Sequence, residues 1–244
     1  MTDRKLLLGT LAKLLELPFG ETDDHSARVR RQETLDFLAM LSGVKPVFVT
    51  GPGFDDDLWI RGAVDLATQM GLEVEIGPMW NALPGREGLP EWFVRFADEA
   101  RCSEAVFICK EPAIARKVLT ALNGKPLSLR EEAELLGYPE CCVRAEYQRK
   151  ECLDRVTFMM LSRAADEDQQ KMWRLIDEDD CLAAETPAEI AMRDAARTVN
   201  MAPYTSINMC RACASDPDSP ARGTSRDYEQ LAYAIDQTFA DGFA

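Results

Sequence analysis

Pro46-Val47-Phe48-Val49-Thr50-Gly51-Pro52-Gly53 opens the part of the chain whose reading decides the fold. A short apolar run stopped by Gly-Pro-Gly has the form of a buried strand. Over residues 55–70, Leu58, Val64, Leu66 and Ala67 recur with helical periodicity, and Gly71 stands where a C-terminal glycine belongs. Leu72-Glu73-Val74-Glu75-Ile76 follows as a second strand, residues 91–100 as a helix, and Ala105-Val106-Phe107-Ile108-Cys109 as a third strand. Pro112 then opens a helix at its first turn and Asn123-Gly124 closes it. This β-α-β-α-β-α order predicts parallel strands joined by right-handed crossovers. The expected fold class is α/β, with a small three-stranded parallel doubly wound sheet followed by a helical, cysteine-bearing half.

On the N-terminal side, Thr2 is placed to cap a first helix through about Leu17, which Pro18 and Gly20 end. A second helix is expected over residues 26–41, stopped by Ser42-Gly43. After Gly124 no strand is expected. Helices are predicted over 129–136, 140–150, 153–176 with a break, 187–199 and 225–239. The chain then divides into a Rossmann-like half with its N-terminal helices, residues 1–124, and a helical half bearing the cysteine pairs, residues 125–244. A length of 244 residues suits one large domain or two small ones and buries a core without staples.

Charge narrows the partners. With 42 acids against 28 bases the net charge is −14, a surface that repels the phosphate backbone of nucleic acid and anionic membranes alike. Arg28, Arg30 and Arg31 cluster around Val29, a pattern that fits the solvent face of a helix. The apolar N-terminal run is interrupted by Lys13 and has no small-residue cleavage site after it, so it reads as an amphipathic helix and not a signal peptide. No apolar stretch approaches the roughly 20 residues of a membrane span. The expectation is a cytoplasmic protein with reduced thiols, with no nucleic-acid or membrane partner.

In that setting eight cysteines point to metal or redox chemistry more than to disulfides. Four form two compact pairs. Cys141-Cys142 lies in Leu136-Gly137-Tyr138-Pro139-Glu140-Cys141-Cys142, and Cys210-Arg211-Ala212-Cys213 is a C-x-x-C in a Pro- and Ser-rich stretch, expected to be irregular from Asn200 to Thr224. Ser128-Leu129-Arg130-Glu131 fits a capping box, Gly137 a left-handed stop, and Pro139 the first position of a new helix. Cys141 and Cys142 would then occupy a helix's first turn, where N–H groups and the helix dipole favour a thiolate, with Glu140 opposing it. The plain alternative is two small buried hydrophobes. For the C-x-x-C the alternative is chance spacing in a packed loop. It also suits a thioredoxin-like motif, which follows a strand and opens a helix, a context the sequence does not make clear.

Together, Cys141, Cys142, Cys210 and Cys213 make a candidate four-thiolate site for an iron–sulfur cluster or zinc. Neighbouring helical residues point about 100° apart, so both members of the vicinal pair reach one zinc ion with difficulty, whereas a cluster offers them different irons. This favours the cluster, with zinc as the alternative. His25, the sole histidine, is remote in sequence, which also argues against Ser-His and Cys-His hydrolases. Cys152 lies about three helical turns past Cys141, too far to share an ion, and Cys102 and Cys181 read as packing residues. Cys109, at the end of the third strand beside Lys110, is a weaker candidate because open α/β sheets bind ligands there.

Other features read as structural. The turn at Gly51-Pro52-Gly53 lacks one dinucleotide-fingerprint glycine, and Asp55, Asp56 and Asp57 would repel a pyrophosphate. The acidic runs at 166–168 and 177–180 lack the glycine and closing glutamate of a calcium loop. Trp59, Trp80, Trp92 and Trp173 read as core or interface residues.

The stretch from Glu132 to Val143 resembles the L-G-Y-P-x-C-C signature of an uncharacterised prokaryotic family, of the type called domain of unknown function 483. Cys210 and Cys213, with Ser215 and Ser219-Pro220, are similar to that family's second cysteine pair. The resemblance covers the C-terminal half and implies that the two pairs form one site; it implies no activity. The leading expectation is a cysteine-ligated metal protein with a redox or small-molecule role, and so with a small molecule or redox partner. A metal-free thiol enzyme, with Cys141 or Cys142 attacking and Cys210 or Cys213 resolving, is the second reading. A binding or scaffold module with structural cysteines is the third.

Overall fold

The computed structural model describes residues 3–18, 24–51, 58–78, 86–101, 104–125, 127–177, 184–200, 204–205 and 208–243. Its elements run α1 (Arg4–Glu16), α2 (Asp24–Ser42), β1 (Val47–Thr50), α3 (Leu58–Gln69), β2 (Glu73–Pro78), α4 (Glu91–Arg101) and β3 (Glu104–Cys109). There follow α5 (Pro112–Leu122), α6 (Leu129–Leu136), α7 (Glu140–Ala164), α8 (Gln169–Asp177), α9 (Pro187–Ala195), β4 (Val199–Asn200), β5 (Asn208–Met209), α10 (Arg211–Ser215), α11 (Pro220–Ile235) and α12 (Gln237–Asp241). The three expected strands form, but the sheet is not parallel and not doubly wound, and no Rossmann-like topology results. Its order is β1-β3-β2, and β3 runs antiparallel to both neighbours, with Cys109 opposite Val47 on one side and Glu73 on the other.

The reason lies in what element order leaves open. β1 and β2, both antiparallel to β3, run in the same direction, and α3 connects them as a crossover helix would. They leave a gap of one strand, and β3 fills it from the opposite end. A helix can connect strands of either relative direction, so alternation of helix and strand does not fix the third strand's polarity. β3 also misleads by composition. Ala105, Val106, Phe107, Ile108 and Cys109 are all buried, because both faces of the central strand are covered. Such a continuous apolar run is also the mark of a parallel-sheet strand.

On one face Val106, Ile108 and Phe48 join the main core with Leu7, Leu11 and Leu14 of α1, Leu38 of α2, Trp59 of α3, Ile235 of α11 and Phe239 of α12. α1 contributes its one apolar stripe, and Asp3, not Thr2, caps it by accepting from the Lys5 N–H at 2.9 Å. Trp59 donates its indole N–H to the Leu14 carbonyl at 3.2 Å, in keeping with a core role. On the other face Val47, Ala105, Phe107 and Cys109 pack with Ala115 and Val118 of α5 and Leu135 of α6.

The chain forms two compact units, Met1–Trp80 with Cys102–Val143 and Val199–Ala244, and Asn81–Arg101 with Arg144–Thr198. The position expected to divide the halves, between residues 124 and 125, lies within the first unit. The second unit has its own core of Phe93, Ala97, Leu161, Ala165 and Met172, with the Trp92 and Trp173 rings 5.0 Å apart at its side. Within it, buried Arg86 pairs with Asp98 at 2.6 Å and Asp154 at 3.1 Å.

α7 runs unbroken through 150–153, where two helices were expected, and the break expected within 153–176 falls after Ala164, where Asp166 and Glu167 take positive φ. α9 stops at Ala195, short of 199. Val199–Asn200 pairs with Asn208–Met209 as a small antiparallel ladder, which overturns the expectation of no strand after Gly124. Thr2, Cys102, Cys181, Trp80 and the turn from Pro52 to Asp57 lie outside the described residues, as does the side chain of His25.

Candidate metal centre

The first flank of the site is built by local signals. Ser128 caps α6 by accepting from the Glu131 N–H, and Glu131 returns the bond to the Ser128 N–H, a complete capping box. Gly137 ends the helix at φ 71, and its N–H donates to the Ala133 carbonyl. A Cβ there would stand 3.0 Å from Lys45 Cβ, so glycine is required by conformation and by space. Pro139 supplies the first acceptor of α7, its carbonyl taking the N–H groups of Cys142 at 2.9 Å and Val143 at 3.1 Å. Cys141 and Cys142 thus occupy the first turn, as expected.

Beneath this turn lies a buried polar cluster. The Lys45 ammonium pairs with Asp36 at 2.5 Å and stands 5.6 Å from the centre of the Tyr138 ring. Tyr228 donates its hydroxyl to Asp36 at 2.6 Å. Burial, and then the neighbouring Asp36 charge, push the Glu33 carboxyl up to about 8. These contacts hold Gly137 and Tyr138, and so the direction in which α7 begins. Sequence reasoning missed Lys45, Asp36 and Tyr228, because long-range partners leave no local pattern.

The second flank is assembled from short pieces. Cys210 follows β5 and is the N-cap of α10, its Sγ accepting from the Cys213 N–H at 3.4 Å. The stretch expected to be irregular therefore follows a strand and opens a helix. Cys213 is buried, and its carbonyl accepts from the Ser219 hydroxyl at 2.8 Å. Ser219 in turn caps α11, with Pro220 at the first position, where the sequence reading began this helix only near residue 225. Ser-Pro was the available signal for the earlier start. Arg222 donates to the Ala214 carbonyl at 3.0 Å and closes the turn.

Both flanks meet at sulfur. The Sγ atoms of Cys141, Cys142, Cys210 and Cys213 all lie within 4.8 Å of one another. Cys141 is 3.5 Å from Cys213 and 4.0 Å from Cys142. The Cys210 N–H points at Cys142 Sγ from 3.5 Å, a second backbone donor aimed at sulfur. The difficulty expected for the vicinal pair is not observed: helical geometry sets the Cβ directions 100° apart, but rotation about χ1 brings the two γ atoms together. Met209, Ala221 and Tyr138 close an apolar wall around Cys142 and Cys213, while Cys141 faces solvent.

Electrostatics at the group are uneven. Burial, and then its bond to Cys213, push the Cys141 thiol up to about 11. Burial drives Cys142 higher still. At Cys210 burial acts upward too, but the Cys213 N–H and the three neighbouring thiols outweigh it and the shift is downward. Four sulfurs crowded together are the donor set of a soft or borderline cation.

The six described cysteines are all free of disulfides. Cys109 is a core residue, its thiol pushed up to about 11 by burial and then by Glu73. Cys152 belongs to the second unit and is not one of the four. The arrangement defines a four-cysteine group within metal-binding distance. Comparison with family models, with curated proteins and with solved structures gave no match to this chain. Among the described residues no helix is long and apolar enough to cross a membrane.

Proposed function

We propose that this is a cysteine-ligated metal protein whose four thiolates hold a single ion, zinc first, in a closed site that organises the segment from β4 to α11. The carrying observation is the mutual approach of the four Sγ atoms within 4.8 Å. One tetrahedral zinc with Zn–S bonds of about 2.3 Å sets its sulfurs about 3.8 Å apart. The separations from Cys141 to Cys213 and to Cys142, 3.5 and 4.0 Å, bracket that value, and all six lie within 4.8 Å. An iron–sulfur cluster, in which each thiolate takes a different iron, sets its ligands further apart and is the second choice of cofactor. Four protein ligands leave no open position for substrate, which supports a holding role over Lewis-acid catalysis. The resemblance of the L-G-Y-P-x-C-C stretch rests on the same cysteines and favours the same grouping.

Metal, iron and acid-labile sulfide should be measured per chain after purification without oxygen. One zinc per chain, lost in Cys141→Ser and Cys210→Ser, is the expected result. Iron with matching sulfide would restore the cluster. Unchanged metal content in both variants would remove the site altogether. The 3.5 Å approach of Cys141 and Cys213 specifically favours one other reading, a metal-free dithiol. Mass spectrometry that finds a reversible Cys141–Cys213 disulfide in metal-free protein as purified would select it.

A further inference from the structure

A cleft of about 450 Å³ lies beside α5 and α6, lined by Arg116, Lys117, Lys125, Ala113, Leu127 and Leu135. Its volume falls in the range of small-molecule sites. Its charge runs against the rest of the chain. Acids outnumber bases 42 to 28 over the whole sequence, yet three cations gather at this rim. None of the three is in an ion pair within 4.0 Å among the described residues.

The single acid of the lining, Glu131, is already engaged. Its carboxylate accepts from the Ser128 N–H at 2.8 Å and hydroxyl at 2.7 Å as part of the capping box. Those bonds come first in holding it below the usual carboxylate range, and Lys125 and Lys117 add to the effect from a distance. Three cations against one committed carboxylate leave a surplus of two positive charges over a floor of leucine and alanine side chains. Leu135 and Leu127 continue that floor into the second core of the first unit.

We propose that this cleft binds an organic phosphate, its phosphate on Arg116, Lys117 and Lys125 and its apolar body on Ala113, Leu127 and Leu135. The surplus of two charges matches a phosphate monoester, which carries about −1.5 to −2 at neutral pH, better than a carboxylate. Arginine supplies a planar fork for phosphate oxygens and lysine a mobile point charge. The site is separate from the four cysteines and does not depend on a metal there.

The test is calorimetric titration of the full chain, as purified, with phenyl phosphate. Inorganic phosphate and benzoate serve as the headgroup and body controls, and Arg116→Gln/Lys125→Gln as the variant. The expected result is saturable binding of phenyl phosphate, tighter than either control, and at least about tenfold weaker in the double variant, since two of the three charge-assisted contacts to the phosphate are removed. All substituted side chains are exposed, so the melting temperature should not move. No binding heat at millimolar phenyl phosphate, or equal affinity in the double variant, overturns the site. Inorganic phosphate binding as tightly would overturn the apolar floor, and benzoate as tightly the preference for phosphate.

Discussion

The two flanks of the cysteine group are made in different ways. The flank from Ser128 to Val143 has a capping box, a left-handed glycine, a proline and an eight-residue helix, and it rests on the buried Lys45–Asp36 pair. The flank from Val199 to Ser219 has two strands of two residues each and one helix of five. Isolated elements of that size do not hold themselves, because a short helix does not recover its nucleation cost and a two-stranded ladder is marginal in water. The first flank is held by its caps and by packing on the buried Lys45–Asp36 pair and the core around Leu135. The other depends on side-chain contacts and, in the proposed reading, on the metal.

Removing the metal should separate them most. Chelation should raise amide exchange over residues 208–221 strongly while 129–136 stays protected, since structural zinc is worth on the order of 10 kcal/mol to small domains. Equal loss of protection on both flanks would break the comparison. Next in size is Gly137→Ala, which forces a side chain into left-handed backbone and against Lys45, at a cost of about 2 kcal/mol by denaturant melts. If the variant is as stable as the parent, the first flank is not locked as described. Ser219→Ala removes the cap of α11 and the bond to the Cys213 carbonyl together, a loss of about 1.5 kcal/mol that should also weaken metal retention in a chelator competition. Ser128→Ala, at an exposed cap, should cost about 1 kcal/mol and leave metal retention unchanged.

A pH titration probes the polar cluster separately from these variants. Glu33 is raised to about 8 in the folded chain from an ordinary value of 4.5, first by burial. Between those values the folded state keeps a proton that the unfolded state has lost. Stability should therefore fall as pH rises from about 4.5 to about 8 and level off above it. Glu33→Gln should flatten that slope; an unchanged slope would place the titration elsewhere.

These asymmetries follow what can be read locally. The capping box at Ser128, the stop at Gly137 and the helix start before Cys141 depend on neighbours within a few residues, and each forms as the residues predict. The three main strands were legible for the same reason. Their directions were not, because pairing is decided by partners as far apart in sequence as Val47 and Cys109 or Glu73 and Cys109. β3, covered on both faces, carries the apolar run of a parallel strand while pairing antiparallel. The irregular reading of 200–224 failed because its elements are shorter than any periodicity can register, although Ser219-Pro220 marked the start of α11.

By itself the amino-acid sequence determined the positions of the main strands and most helices, the first-turn placement of Cys141 and Cys142, and the choice of four cysteines out of eight. Local backbone preference and residue chemistry suffice for these. Tertiary structure alone decided the antiparallel order β1-β3-β2, the buried support of Lys45, Asp36 and Tyr228, and the approach of Cys213 to within 3.5 Å of Cys141. Each of these joins residues far apart in the chain, and only packing of the core sets the free energy of bringing them together.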